Sequence, residues 1–463
     1  MDATYLFARN FATLKFEDLP PDVVSATKKQ VLDFFGVAVG GSSEAGVKEM
    51  TDLALEWGGA PQSTVIYWGY KLPAPIAAQL NATMGHSLDY DDVHETAVMH
   101  PGVITVPTAL AMAEYKGSLS GEEFITAIAL GTDLICRLGL ATRPGQNIHG
   151  FGWHLTSLYG YMTAAAVSGR ILGLDEDQMV DAIGIGYHQS AGNGQCVQDG
   201  ALTKRMGPGM AVKGGITAAL MAKKGITGAR NCLEGKHGIY NVYHQGSYSR
   251  NALVGELGKR FEGVNVSIKP YPCCRGVHPF VDAALAIVNK HDFLVKDIES
   301  ILVGCGEGTF GLLASPPEVK ARPRNFVDSQ FSVPWGVATA VARKRAVIDD
   351  FTEAAIRSQD ILDVAAKIHV EIDPTLNRTD VIEPARVRVT LTNGDCYVEQ
   401  VELPTGTPSK PLSFADCERK FLDCVAHAKN PRSLENATDL VELVAELENV
   451  RDVKSLVDLL AWS

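Results

Sequence analysis

The sequence predicts a mainly α fold, with a large all-helical domain and a smaller α+β domain inserted into it. Three observations predict it. Apolar residues recur near helical spacing through most of the first half of the chain, β-branched and alternating runs cluster between 264 and 404, and helical spacing returns after Pro404. At 463 residues the chain is also too long for one compact domain. The expected division is a helical domain from 1–263 plus 405–463, and an α+β domain over 264–404.

Pro20 and Pro21 precede a helix over Val23–Val39, where Val24, Val31, Phe35 and Val39 share a face. Helical patterns follow at about 74–87, 103–116, 121–140, 155–172, 176–191 and 208–224, with Gly or polar turns such as Lys116-Gly117 after them. In this half only Ser63–Tyr67 reads as a strand. Strands are expected at Val264–Ile268, Ser300–Cys305, Lys367–Ile372, Arg386–Thr392 and Cys396–Val401. Asn393-Gly394 between the last two suits a hairpin turn that needs positive φ. Helices at about 278–290, 331–343 and 351–359 accompany the strands, and 413–428, 435–447 and 453–461 close the chain.

A net charge of −12 argues against nucleic acid as a partner, because phosphate binding needs a basic face. Nine Cys without framework spacing read as reduced thiols of a cytoplasmic protein, and the N-terminus shows no secretory pattern. The most apolar stretch, Phe124–Ala141, is interrupted by Asp133 and Arg137, so no membrane span is expected.

Four segments carry candidate chemistry. HSLDYDDVHETAVMHPG (86–102) packs three His, three Asp and a Glu before a Pro-Gly turn, where reactive groups or a merely solvated loop are both reasonable. Its spacing matches no HExxH-type ligand set, so no metal is expected. GFGWHLTS places His154 at a helix start, as a cap or as part of a site. ALTKRMGPG (201–209) sets Lys204 and Arg205 before a Gly-Pro-Gly turn and a helix, which suits a carboxylate as well as a solvated basic face. KPYPCCRGVHPFVDA (269–283) carries Arg275, suited to gripping a carboxylate, and His278, suited to moving a proton. Cys273 and Cys274 are taken as packing residues. GIGYHQSAGNG follows no strand and makes a poor dinucleotide fingerprint.

Taken in order with DSQFSVPWGVA (328–338), these segments resemble the MmgE/PrpD family over essentially the whole chain. Its members include 2-methylcitrate dehydratase, cis-aconitate decarboxylase and iminodisuccinate epimerase. The resemblance implies a helical domain with a smaller α+β lid, a homodimer, a small di- or tricarboxylate substrate, and no metal or organic cofactor. It implies Asp89 as the aspartate of an LDxDD motif and His100 as the histidine of the HP turn. His154, Lys204 and His278 match further catalytic positions, and Arg275 lies in the matching CRxxH segment.

The family's shared chemistry is removal of a proton α to a carboxylate. Here His100 and His278 lead as the acid/base pair, facing one another from the two domains, with His154 able to replace either. Lys204 and Arg275 bind carboxylates, and Asp89 orients a histidine. The sequence departs from the family at Val93, in Val-Met-His-Pro, and in lacking a tyrosine within GTFGLLASPPE (308–318). These departures favour an epimerase of the iminodisuccinate type over a dehydratase or decarboxylase. Two readings from other classes are a metal-dependent hydrolase using Asp89, Asp91, Asp92, His94 and His100, and a non-catalytic anion-binding scaffold.

Overall fold

The computed structural model describes residues 1–142, 152–378, 382–428 and 434–461, so Gly150 and Phe151 of GFGWHLTS lie outside the described residues. The chain forms two compact units. The larger comprises 1–87, 91–266 and 414–463, and the smaller comprises 88–90 and 267–413.

In the larger unit the order is α1 (Ala3–Thr13), α2 (Pro21–Gly40), α3 (Val47–Trp57), β1 (Ser63–Thr64), β2 (Lys71–Leu72), α4 (Ala74–Gly85), α5 (Gly102–Lys116) and α6 (Gly121–Ala141). It continues through α7 (Leu155–Leu172), α8 (Glu176–Gln189), the single turn α9 (Gln195–Gln198) and α10 (Thr203–Lys223). Local chemistry sets the starts. Pro21 occupies the first position of α2, where its missing N–H costs nothing. Ser120 Oγ caps α6 by accepting from Glu123 N, and Asp175 forms a capping box with Gln178 on α8.

Helices α4, α5 and α7 are buried on nearly every face, so they read as apolar all round rather than striped. Small residues let them approach α10. A Cβ on Gly160 of α7 would lie 2.9 Å from Ala211 Cβ and 2.7 Å from Ile104 Cδ1, distances that require glycine. The C-terminal helix Phe414–His427 returns to α2, with Phe421 against Gly36 and a buried Lys420–Asp33 ion pair at 2.5 Å. Helix α6 is long and apolar enough to cross a membrane by composition alone, yet 94% of that window is buried inside the protein. Its two charges satisfy each other: Arg137 Nε donates to Asp133 Oδ2 at 2.7 Å.

The smaller unit holds a four-stranded sheet in the order β4-β3-β5-β6, where β3 is Ile298–Cys305, β4 Ile368–Ile372, β5 Ala385–Leu391 and β6 Cys396–Val401. Strands β3 and β4 are parallel, whereas β3–β5 and β5–β6 are antiparallel. Gly394 supplies the positive φ of the β5–β6 turn. Alternating residues Val387 and Val389 join Ile301, Val303 and the helices His278–Lys290 and Val333–Arg343 in one core.

Several expectations need correction. Val264–Ile268 is not a strand: Glu262–Asn265 closes a 3-10 turn, with Asn265 Nδ2 bonded to Glu262 Oε2 and Glu262 N to Asp133 Oδ1. Those local bonds compete with a ladder. Only Ser63–Thr64 of the 63–67 run pairs as strand. The helix expected at 351–359 is instead a 3-10 turn, Ala355–Arg357, followed by a helix over Gln359–Ala365. Helices α1 and α3 were not foreseen. The units divide at 266/267 and 413/414, and the second crossing lies beyond 404 because Thr405 and Gly406 are bonded into the smaller unit. Thr405 N donates to Asp282 Oδ2 at 2.6 Å, and Ile268 N donates to Gly406 O at 3.2 Å.

Candidate active site

Helix α4 ends at Gly85 with His86 as its C-cap, and the following loop supplies most of a histidine-rich cluster in the larger unit. A short bridge between His94 and Met99 closes this loop, with Ala97 N donating to His94 Nδ1 at 3.1 Å. His94 therefore braces the loop, its other nitrogen 3.6 Å from Glu262. Val98 takes a left-handed conformation (φ 55°) that a β-branched residue adopts only under constraint. The bracing delivers His100 immediately before α5.

His100 is held at three points. Its backbone N–H donates to Thr156 Oγ1 at 3.1 Å, and its Nδ1 lies 2.7 Å from the Asp92 carbonyl and 3.1 Å from Asp91 Oδ2. A carbonyl only accepts, so the ring proton sits on Nδ1 and Nε2 keeps its lone pair. His86 lies beside it, with ring centroids 4.9 Å apart, and its Nδ1 donates to Asp91 Oδ2 at 2.7 Å. His154, the N-cap residue of α7, is 5.8 Å from His86 by ring centroids. It makes no capping bond; its Nδ1 meets Ser157 Oγ at 2.7 Å.

Lys204 belongs to the first turn of α10, which corrects the expected position of Gly207-Pro208-Gly209: that triplet is helical, not a turn before the helix. Close packing explains its glycines. A Cβ on Gly207 would lie 2.3 Å from Ser157 Oγ, and one on Gly209 would lie 2.5 Å from Gln79 O. Arg205 is buried and bonds Ala45 O at 3.1 Å, so the two adjacent cations have different settings.

Burial lowers the His86 pKa to about 4, with Lys204 adding to the effect and Asp91 opposing it. Burial also carries His154 well below its ordinary value, helped by His86 and Lys204. Burial alone would raise Asp91, but the His86 and His100 imidazoles hold its carboxyl well below the usual range. Asp92 is the opposite case. Burial, with Asp33 nearby, lifts it to about 8, even though Gln30 and Gly102 N donate to it at 2.6 and 3.0 Å. Two successive carboxyls are thus pushed in opposite directions: the two imidazoles favour Asp91 as an ionised acceptor, while burial disfavours charge on Asp92, which braces the N-terminus of α5.

Ligand atoms of His86, Asp91 and His100 lie within 4.8 Å of one another, which raises the question of a metal. The fit is poor, because the Nδ1 atoms of both rings carry hydrogens directed at oxygen. This arrangement is an N–H···O network.

The remaining predicted residues belong to the smaller unit. Asp89 falls in its 88–90 stretch, with φ 52°, and Lys269 Nζ donates to Asp89 O at 2.6 Å and lies 3.3 Å from Oδ2. Gln330, from the DSQFSVPWGVA motif, donates to Leu88 O at 2.6 Å and fixes the same stretch. Arg275 Nη1 bonds both His278 Nδ1 and Thr405 O at 2.9 Å. Guanidinium only donates, so His278 Nδ1 is the acceptor and its proton lies on Nε2, 3.1 Å from Cys273 O. Cys273 is fully buried, as a packing residue would be.

The structure thus joins His100, His154 and Lys204 in one cluster, and Arg275 and His278 in another. Sequence reasoning missed His86 and the Asp91 bridge. The available signal was His86 at the end of a helical pattern, five residues before Asp91 on a tight acidic loop.

Fold and clusters together accord with two family matches: the MmgE/PrpD N-terminal domain covers residues 6–251, and the MmgE/PrpD C-terminal domain covers 271–445. The chain belongs to the MmgE/PrpD family. Among its relatives, cis-aconitate decarboxylase of Aspergillus terreus is 25% identical, over 98% of this chain and 94% of the relative. The cis-aconitate decarboxylase-like protein oryM of Aspergillus oryzae is 26% identical over 97% and 95%. Human cis-aconitate decarboxylase is 26% identical over 99% and 94%. These relatives are lyases by name, so the preference for an epimerase drawn from Val93 and the Val-Met-His-Pro loop finds no support.

Proposed function

We propose that the chain is a lyase that removes CO2 from a small unsaturated tricarboxylate of the cis-aconitate type. The observation that carries this reading is the end-to-end likeness to decarboxylases, over 97–99% of the chain. The His100 geometry supplies the chemistry. Loss of CO2 breaks a carbon–carbon bond and leaves its electron pair on the allylic carbon, delocalised toward a remaining carboxylate. One proton must then reach carbon, so the reaction consumes one proton for each CO2 released.

His100 suits that task, because its Nε2 is the end of the ring left to carry a transferable proton. When Nε2 is protonated, the Nδ1–H remains directed at Asp91 and Asp92 O, and the ionised Asp91 stabilises the imidazolium. Lys204, at the start of a long helix, offers positive charge to a substrate carboxylate. Arg275 and Asp89 keep the roles the family motifs suggest as proposals, whereas the two engaged nitrogens of His278 support a bracing role for it.

The test is incubation with cis-aconitate in D2O, followed by proton NMR and CO2 capture. The expected result is stoichiometric CO2 and a dicarboxylate with one deuterium on carbon. Water loss from 2-methylcitrate without decarboxylation of cis-aconitate would replace this reading with the dehydratase. Inversion of an aspartate-derived acid alone would restore the epimerase.

A further inference from the structure

Val98, two residues before His100, sits in the left-handed region at φ 55°. A β-branched side chain is crowded there, and such a conformation persists only where the surroundings impose it. Two neighbours do so. Gly139 of α6 seats the loop from outside, since a Cβ on it would lie 2.8 Å from Ala97 O and 2.9 Å from Met99 Cγ. His94 ties the loop from inside. Its backbone pairs with Met99 through bonds of 2.8 and 3.3 Å, and its ring accepts from Ala97 N at 3.1 Å.

Ala97 N and Met99 N flank Val98, so these bonds hold the chain on both sides of the strained residue. The ring bond is the part that a side chain supplies. An amide N–H only donates, so His94 Nδ1 is the acceptor and the ring proton is on Nε2. Nε2 lies 3.6 Å from Glu262 Oε2, a span longer than a hydrogen bond. The bond from Ala97 is therefore what couples this buried ring to the loop. Were Val98 to relax to negative φ, Met99 and His100 would turn with it. His100 Nδ1 would then leave the Asp92 carbonyl that it meets at 2.7 Å.

We propose that His94 is a positioning residue: its Nδ1 holds the 94–99 loop against the strain at Val98, and so keeps the His100 ring on the Asp92 carbonyl. This inference rests on His100 as the proton-transfer group of the proposed lyase.

The strain itself supplies the test. Glycine adopts positive φ without crowding, so V98G should make the His94 acceptor dispensable. The variants are H94N, whose side-chain oxygen can still accept from Ala97 N, H94L, which has no acceptor, and the double variant H94L/V98G. H94L should lose about ten- to a hundredfold in kcat on cis-aconitate with KM little changed, while H94N stays within about threefold of wild type. H94L/V98G should regain at least about tenfold of that loss. Proton NMR of the resting enzyme follows the His100 Nδ1–H signal, assigned from its absence in His100→Gln. That signal should be lost to solvent exchange in H94L and return in the double variant. Wild-type kcat and an unchanged signal in folded H94L overturn the proposal, as does a double variant no more active than H94L. Should H94L fail to fold, the double variant decides: if it also stays unfolded, His94 does more than hold Val98 and the proposal falls. The NMR signal needs no substrate. Failure of the lyase reading appears instead as wild-type enzyme that leaves cis-aconitate unchanged.

Discussion

His100 in the larger unit and His278 in the smaller one were equivalent candidates in the sequence, but their neighbours treat them oppositely. His100 Nδ1 faces a carbonyl and a carboxylate, both acceptors, so the ring keeps its proton there and leaves Nε2 open. His278 Nδ1 faces the Arg275 guanidinium, a pure donor, while its Nε2–H is directed at the Cys273 carbonyl. Both nitrogens of His278 are engaged, and its side chain is fully buried. What separates the proposed proton-transfer group from the proposed structural pin is the donor or acceptor character of the atoms around the ring, more than the ring itself.

The largest expected effect breaks or upholds that contrast directly. His100→Gln should lower kcat on cis-aconitate by about a thousandfold with little change in Tm, since removing a positioned acid/base group costs about 10²–10⁴ in rate. His278→Gln should instead lose stability, about 1–3 kcal/mol for each buried bond left unmade. Equal losses of kcat in both variants, at unchanged Tm, would erase the distinction.

The cations extend it. Lys269→Met takes a donor from Asp89 inside the smaller unit and should destabilise by about 3 kcal/mol, as breaking a buried ion pair does. Lys204→Met should instead show its effect in kcat/KM, reduced about ten- to a hundredfold, the worth of one charge-assisted bond to substrate. A reversed pattern would move substrate recognition from Lys204 to Lys269.

Within the larger unit, Asp92 and His86 make opposing contributions to stability as pH changes. Asp92 has a folded-state pKa of about 8 against an ordinary 3.8, so its contribution falls as pH rises between those values. His86, at about 4 against 6.5, contributes stability above pH 6.5 that is lost as pH falls toward 4. Asp92→Asn should therefore remove a loss of Tm that is spread between about pH 4 and 8. An unchanged slope over that range would show that Asp92 is ionised in the native protein. The smallest effect expected is none: exhaustive chelation should leave turnover unchanged, and activity restored by one divalent ion would reassign the His86–Asp91–His100 trio as ligands.

Much of the fold was legible in the sequence because helical and strand periods are local. The helices at 74–87, 121–140 and 155–172 could be placed to within a few residues, and Asn393-Gly394 announced its hairpin, because backbone preference and side-chain spacing agree there. Where they competed with local side-chain bonds, as at Glu262–Asn265, the period misled. The motifs likewise picked out the family and the residue types of the two clusters: His100, His154 and Lys204 of one, and Arg275 and His278 of the other, are all written in short, distinctive segments. Partnership was decided by the tertiary structure alone. Sequence reasoning gave the histidine-orienting role to Asp89, yet of three carboxylates within four positions it is Asp91 that meets His86 and His100, and nothing in the sequence promoted His86 from the end of a helix. A hydrogen bond depends on distances set to within a few tenths of an ångström, and although these residues share one loop, those distances exist only once the flanking helices have packed. That packing gave Asp91 two imidazoles, gave Asp92 the N-terminus of α5, and set His100 and His278, alike in the sequence, to hold their protons on opposite nitrogens.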